Sequence, residues 1–219
     1  METFSDRLLK QVSMSDSSIL LKNYLKRRSG RHFDTFQIDQ NKPNEITPAD
    51  LLAVCQLSMK IGGYGKRDSI SEFAVIKLFE QDVKCKISQS LAMIEPSWRL
   101  ENISSTDLEK FNASIAEIWQ VLKEQVGLKT VARYKLLARK RPNLCPIRDS
   151  FSEEALGKPS EWYWSWQEAF SSNQAIIDAL ENLRRESDGG ATNLSLLRIA
   201  DIVIWERIKT RTEKEVRCV

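Results

Sequence analysis

Val126-Gly-Leu-Lys-Thr-Val-Ala-Arg-Tyr-Lys-Leu-Leu-Ala-Arg-Lys-Arg-Pro-Asn-Leu-Cys-Pro-Ile-Arg-Asp-Ser150 holds a glycine turn, an amphipathic helix and two proline breaks. Gly127 marks the turn, Thr130 to Arg141 carry helical periodicity, and Pro142 and Pro146 end it. Asp149 then stands just before a helix start at Ser150, where an aspartate is a natural N-cap. At 3.6 residues per turn, Lys129, Arg133 and Lys140 fall on one side, with Lys135 and Arg139 flanking it. Val131, Tyr134, Leu137 and Ala138 occupy the opposite arc and are expected to face the core. From Lys123 to Asp149 there are eight basic and two acidic residues, a local charge of +6 in a chain of net +3. The remainder therefore sums to −3, and such a concentrated segment predicts one local anionic partner rather than a diffuse polycation. A solvated basic helix face is the plain alternative. Against it stand the lack of any balancing acid on that face and the glycine turn, which leaves helix N–H groups free to meet phosphate.

Outward from this stretch the pattern is helical. Upstream, Ser104-Ser-Thr-Asp107 caps a long helix whose core stripe is Leu108, Phe111, Ile115, Ile118, Trp119 and Leu122, and which runs into Gly127. Ile70 to Ile94 reads as one or two helices ending at Pro96. Thr47-Pro-Ala-Asp50 is a helix start, with a capping threonine, proline at the first helical position and an acid in the first turn. Between these, Gly62-Gly-Tyr-Gly-Lys-Arg67 fits no phosphate-binding pattern and reads as a flexible loop. Ser15-Asp-Ser17 starts a helix that ends in Lys26-Arg-Arg28, and Asp39 to Glu45 is a loop broken by Pro43. Downstream, Phe151 and Leu156 belong to a short helix closed by Gly157. Another helix begins near Glu161, where Trp162, Trp164 and Trp166 at spacing two cannot share one face. Helices over 173–186 and from Asn193 to about Arg211 complete an all-α chain with a basic tail.

Composition narrows the function classes. A 42% hydrophobic, 29% charged chain of 219 residues with mean hydropathy −0.39 fits one globular domain, with no apolar run of membrane-spanning length and no signal peptide. The expected location is cytoplasmic, and nothing demands more than a monomer. Cys55, Cys85, Cys145 and Cys218 are widely spaced, and His32 is the single histidine, so a zinc site and an imidazole-based hydrolase triad are both disfavoured. No metal and no cofactor is expected.

The order of these parts resembles the helix-hairpin-helix DNA glycosylase superfamily. The resemblance is carried by the long helix, the Val126-Gly-Leu-Lys-Thr130 turn, the following helix, and Pro146-Ile-Arg-Asp-Ser150. Lys135-Leu-Leu-Ala-Arg-Lys-Arg-Pro142, Ile46-Thr-Pro-Ala-Asp-Leu-Leu-Ala-Val54 and Leu197-Arg-Ile-Ala-Asp-Ile-Val-Ile-Trp205 are similar to a bacterial branch of it, so the likeness covers most of the chain. The sequence departs from the superfamily pattern in three ways. The hairpin keeps only Gly127 of the usual glycine pair, Arg148 is inserted before the aspartate, and there is no cysteine cluster for iron–sulfur.

The resemblance implies a two-lobed helical bundle in a single domain over 1–219. The central helix-hairpin-helix lies at about 105–150, and the terminal helices form the rest of a pocket. It implies a partner, double-stranded DNA, gripped through Gly127, Thr130, Arg133, Lys135, Arg139, Lys140 and Arg141. The expected activity is cleavage of the N-glycosidic bond of a damaged or modified base flipped from the duplex. Repair and defence against modified phage DNA both remain open. Asp149 falls on the catalytic aspartate position, where a carboxylate stabilises an oxocarbenium-like sugar or activates water. Lys129 falls on the position of the lysine nucleophile in members that also cut the strand. That role requires a neutral amine, which desolvation beside Arg133 and Lys140 would favour. Trp162, Trp166, Arg198, Asp201 and Trp205 are the candidate base-pocket residues. The alternative is a DNA- or RNA-binding hairpin module without catalysis. A third reading is a helical protein whose basic face meets an acidic partner.

Overall fold

Eleven α-helices, a short 3-10 helix over Ser29–His32, a π-helical turn and one pair of two-residue strands make up the regular structure in a computed structural model that describes residues 2–37, 42–62 and 69–217. The helices are α1 (Phe4–Ser13), α2 (Ser17–Arg27), α3 (Pro48–Cys55), α4 (Glu72–Leu78), α5 (Gln81–Ala92), α6 (Ser105–Gln120), α7 (Thr130–Lys140), α8 (Ser150–Leu156), α9 (Trp162–Ser172), α10 (Gln174–Glu186) and α11 (Leu196–Arg217). Strands β1 (Lys60–Ile61) and β2 (Ser69–Ile70) pair in parallel. The all-α expectation holds. Most of the glycine-rich 62–67 loop, part of the 39–45 loop and Cys218 lie outside the described residues.

The chain divides into two compact units. One is Ser29–Leu144, and the other joins Met1–Arg28 to Cys145–Val219. In the middle unit α3 packs on α7, α5 on α6, and α6 continues into a π-helical turn, Val121–Gln125. Leu51, Val54, Ile87, Leu91, Phe111, Ile115, Ile118, Leu122, Leu136 and Leu137 are buried there, so four of the six positions expected in the α6 stripe face the core, while Leu108 and Trp119 are half-buried. In the terminal unit α11 is the central element, packing on α1, α2, α8 and α10. Residues 196–204 are buried without a break, so this part of the helix is enclosed all round rather than amphipathic.

Local chemistry sets most of the helix starts. Thr47 and Asp50 form a capping box at α3, with the Thr47 amide donating to Asp50 Oδ2 at 2.8 Å. Ser104 Oγ accepts from the Asp107 amide at α6. A further capping box, Thr3 with Asp6, starts α1, a helix absent from the sequence-based element list. Leu8 and Val12 on α1 are buried, so the first residues of the chain form part of the terminal core.

Candidate nucleic-acid interface

The hairpin is built by the end of α6 and the start of α7. The π-helical turn widens the chain by one residue per turn. Val126 then donates to the Val121 carbonyl and Leu128 to the Leu122 carbonyl, at 3.2 and 2.9 Å. Gly127 takes φ +76, the left-handed conformation that glycine adopts without strain. Lys129 is the N-cap of α7 and makes no side-chain cap hydrogen bond. Gly127, Lys129 and Thr130 are exposed, as is Lys123 on the turn before them. The first N–H groups of a helix have no partner within it, so this end carries partial positive charge beside two exposed ammonium groups.

The rest of the basic face is not on the surface. Arg133, Lys135, Arg139, Lys140 and Arg141, all expected to face DNA, are buried. Lys135 Nζ donates to the Leu57 carbonyl at 2.7 Å. Arg139 donates to the carbonyls of Phe33, Asp34 and Phe36 at 2.5 to 2.9 Å. Lys140 donates to the Lys42 carbonyl and contacts Asp50 at 2.5 Å. Arg141, only 1% exposed, serves the carbonyls of Ile94, Pro43, Lys140 and Leu91 and the side-chain oxygen of Asn44. The physical reason is backbone satisfaction. Residues 33–37 and 42–44 include no α-helix, and the carbonyls of Phe33, Asp34, Phe36, Lys42 and Pro43 take these side-chain donors in place of a neighbouring strand or helix. Arg133 lies over the Trp119 ring, 4.1 Å from its centroid, and donates to Thr130 Oγ1. It therefore braces the first turn of α7 from beneath.

This arrangement changes the reading of Lys129. It is exposed rather than desolvated, and Lys140, expected to help desolvate it, is buried against Asp50. Burial pushes the Lys140 ammonium below its ordinary range, against the opposing pull of Asp50.

Asp149 belongs to the terminal unit. Its Oδ1 accepts from the amides of Phe151 and Ser152, both at 3.0 Å, and Ser152 Oγ accepts from the Asp149 amide at 2.8 Å. The structure thus gives Asp149 the N-cap role at α8, and leaves Oδ2 with no hydrogen bond among the described residues. The carboxylate is 9% exposed.

The proposed pocket residues separate into two groups. Arg198, Asp201 and Trp205 come together with Tyr24 of α2. Arg198 donates to Asp201 Oδ2 and to the Tyr24 hydroxyl. Tyr24 meets Trp205 edge-on at 5.7 Å, and Trp205 meets Phe151, two residues after Asp149, also at 5.7 Å. Arg28, not among the sequence-based candidates, lies over Trp205 and is held by Glu206. The signal that could have found it was the basic end of α2 aligned with an acid-bearing α11. Trp162 and Trp166 form the other group, buried around Phe4 in edge-to-face contacts, so they are packing residues. The exposed tryptophan of α9 is Trp164, at 58%.

Among the described residues no group of histidine, cysteine and acidic side chains could hold a metal ion, and no helix is long and apolar enough to cross a membrane. Comparison with known families finds one model, described as a family of unknown function (DUF6308), which matches residues 18–208. No curated protein and no solved structure matches the chain. A match over this much of the sequence makes the chain a member of the DUF6308 family.

Proposed function

We propose that this member of a family with no assigned activity is a DNA glycosylase that grips the duplex backbone through its hairpin. The observation that carries the reading is the exposed, uncapped start of α7 after the left-handed Gly127, with Lys123 and Lys129 beside it. Amides at a helix start and two exposed cations are donors of the kind a phosphate takes. Lys129 acts in this reading as a phosphate contact, standing exposed at the start of α7. Asp149 is the carboxylate that acts with water on the flipped nucleotide, giving base release without strand cleavage. Its cap hydrogen bonds fix one oxygen and orient the other, which supports that role.

The test is an abasic-site assay on duplex DNA carrying a panel of lesions and on heavily modified phage genomes, run beside Asp149→Asn. Asparagine is as good an N-cap as aspartate, so the variant keeps α8 while losing the charge. Alkali-labile sites with the unaltered chain alone support the glycosylase. Their absence on every substrate, with salt-sensitive DNA binding retained, supports the second reading, a binding hairpin without catalysis. Weak binding without steep salt dependence would sink both and favour an acidic protein partner.

A further inference from the structure

A groove of about 460 Å³ lies wholly within the terminal unit, between the α1–α2 turn and one face of α10. Its apolar floor is Val12, Met14, Ala175, Ala179 and Leu183. The three from α10 follow one another at intervals of four, so they form a single ridge, and the two alanines leave it low. Parallel to it runs a second ridge, Asp178, Asn182 and Glu186, which is polar. Ser13, Ser15 and Ser18 line the opposite wall, and no cationic residue lines the groove.

The two carboxylates are what distinguish this surface. Neighbouring acids are neutralised. Glu181 pairs with Arg184, Asp188 with Lys22 and Asp16 with Arg207. Asp178 accepts only from the neutral Gln174 amide, and neither Asp178 nor Glu186 has a cationic partner among the described residues. Arg185 lies nearby, donating to Asn182. Eight residues of helix set the backbone positions of the two acids roughly 12 Å apart along the axis at 1.5 Å per residue.

We propose that the groove binds a linear aliphatic polyamine of spermidine size. Such a molecule, extended, carries its terminal ammonium groups at about that separation. Its methylene segments cover Ala179, Leu183, Val12 and Met14, while its ends pair with Asp178 and Glu186 and its amine protons reach the serine hydroxyls. The groove volume falls within the range of small-ligand pockets. This inference is independent of the glycosylase reading.

Titration calorimetry of the full chain with spermidine, putrescine and magnesium chloride at matched ionic strength provides the test. Saturable spermidine binding is expected, with putrescine, too short to span both acids, weaker by about tenfold. Asp178→Asn/Glu186→Gln should weaken spermidine by about tenfold or more, since two part-exposed ion pairs are lost. These exposed substitutions leave the core intact, and Ala179→Phe, which fills the floor, gives a second route to the same loss. Amide chemical shifts that move on titration should cluster in Val12–Ser18 and Ala175–Glu186. Three results would each overturn the proposal: no saturable binding, binding indifferent to these variants, or displacement by magnesium at equal concentration. Preference for a basic peptide over spermidine at the same residues would overturn it too.

Discussion

Lys140 Nζ stands 2.5 Å from Asp50 Oδ2, with both side chains at or below 1% exposure. The same oxygen accepts from the amide and hydroxyl of Thr47, so one carboxylate starts α3 and neutralises the end of α7. Arg139 Nε lies 3.5 Å from the other oxygen, an ion-pair contact without hydrogen-bond geometry. Removing the acid leaves two buried cations without a counter-charge. Asp50→Ala is expected to cost about 3–5 kcal/mol in urea unfolding. Asp50→Ala/Lys140→Met should recover part of that, with a coupling of at least about 1 kcal/mol in a double-mutant cycle. Additive losses would mean the pair is not coupled.

The same lysine gives stability a pH dependence of definite sign. Burial lowers its folded-state pKa below the ordinary 10.5. Between those two values the unfolded chain binds more protons than the folded one, so this contribution to stability rises with pH across that interval. The unfolding free energy of the unaltered chain minus that of Lys140→Met should increase as pH approaches 10.5. A flat difference would refute the lowered value.

Arg141 is expected to tolerate no replacement. Its planar guanidinium reaches five acceptors, which an ammonium with three donors at one point cannot match. Arg141→Lys should lose about 3 kcal/mol, nearly as much as Arg141→Ala, because buried acceptors are left unsatisfied in both. Hydrogen exchange at Leu91–Ile94 would locate the damage. Near-complete rescue by lysine would show that charge alone matters there.

On the proposed DNA-binding reading, the division of α7 into an exposed start and a buried remainder predicts which cations contact the duplex. Lys123→Ala and Lys129→Ala should each reduce the slope of log affinity against log salt by about one. Gly127→Ala meets no neighbouring atom within 4 Å, yet its left-handed backbone should cost roughly 1–2 kcal/mol and weaken DNA binding with it. An unchanged slope in both lysine variants would remove the hairpin from the interface.

Much of the helical scaffold was legible because it depends on local signals. Thr47-Pro48, Ser104 and Asp149 announce helix starts through side-chain caps, and Gly127 and Gly157 mark positions of positive φ. Thr3-Phe4-Ser5-Asp6 carries the same capping signal at the start of α1. The site was less legible. Arg139 and Arg141 have the helical phase of surface residues, but the carbonyls Arg139 serves, and Pro43 and Asn44 among the partners of Arg141, lie about a hundred positions earlier in the chain. Periodicity places side chains relative to one another on a helix and says nothing of an irregular segment that later covers that face. Trp162 and Trp166 were ambiguous for a similar reason: their burial depends on Phe4, far away in sequence.

The carbonyl anchors of α7 also bear on how the hairpin comes into being. Arg139 and Arg141 close contacts across sequence separations of about a hundred residues, with the chain between them held in large loops. Contacts of that kind form late and slow folding, because loop closure precedes any gain from the contact. The hairpin helix is therefore expected to mature only after residues 33–36 and 42–44 arrive. A fragment cut to the hairpin alone would lose those acceptors and expose its arginines. It would bind nucleic acid as a loose polycation, with a salt dependence steeper than that of the intact chain.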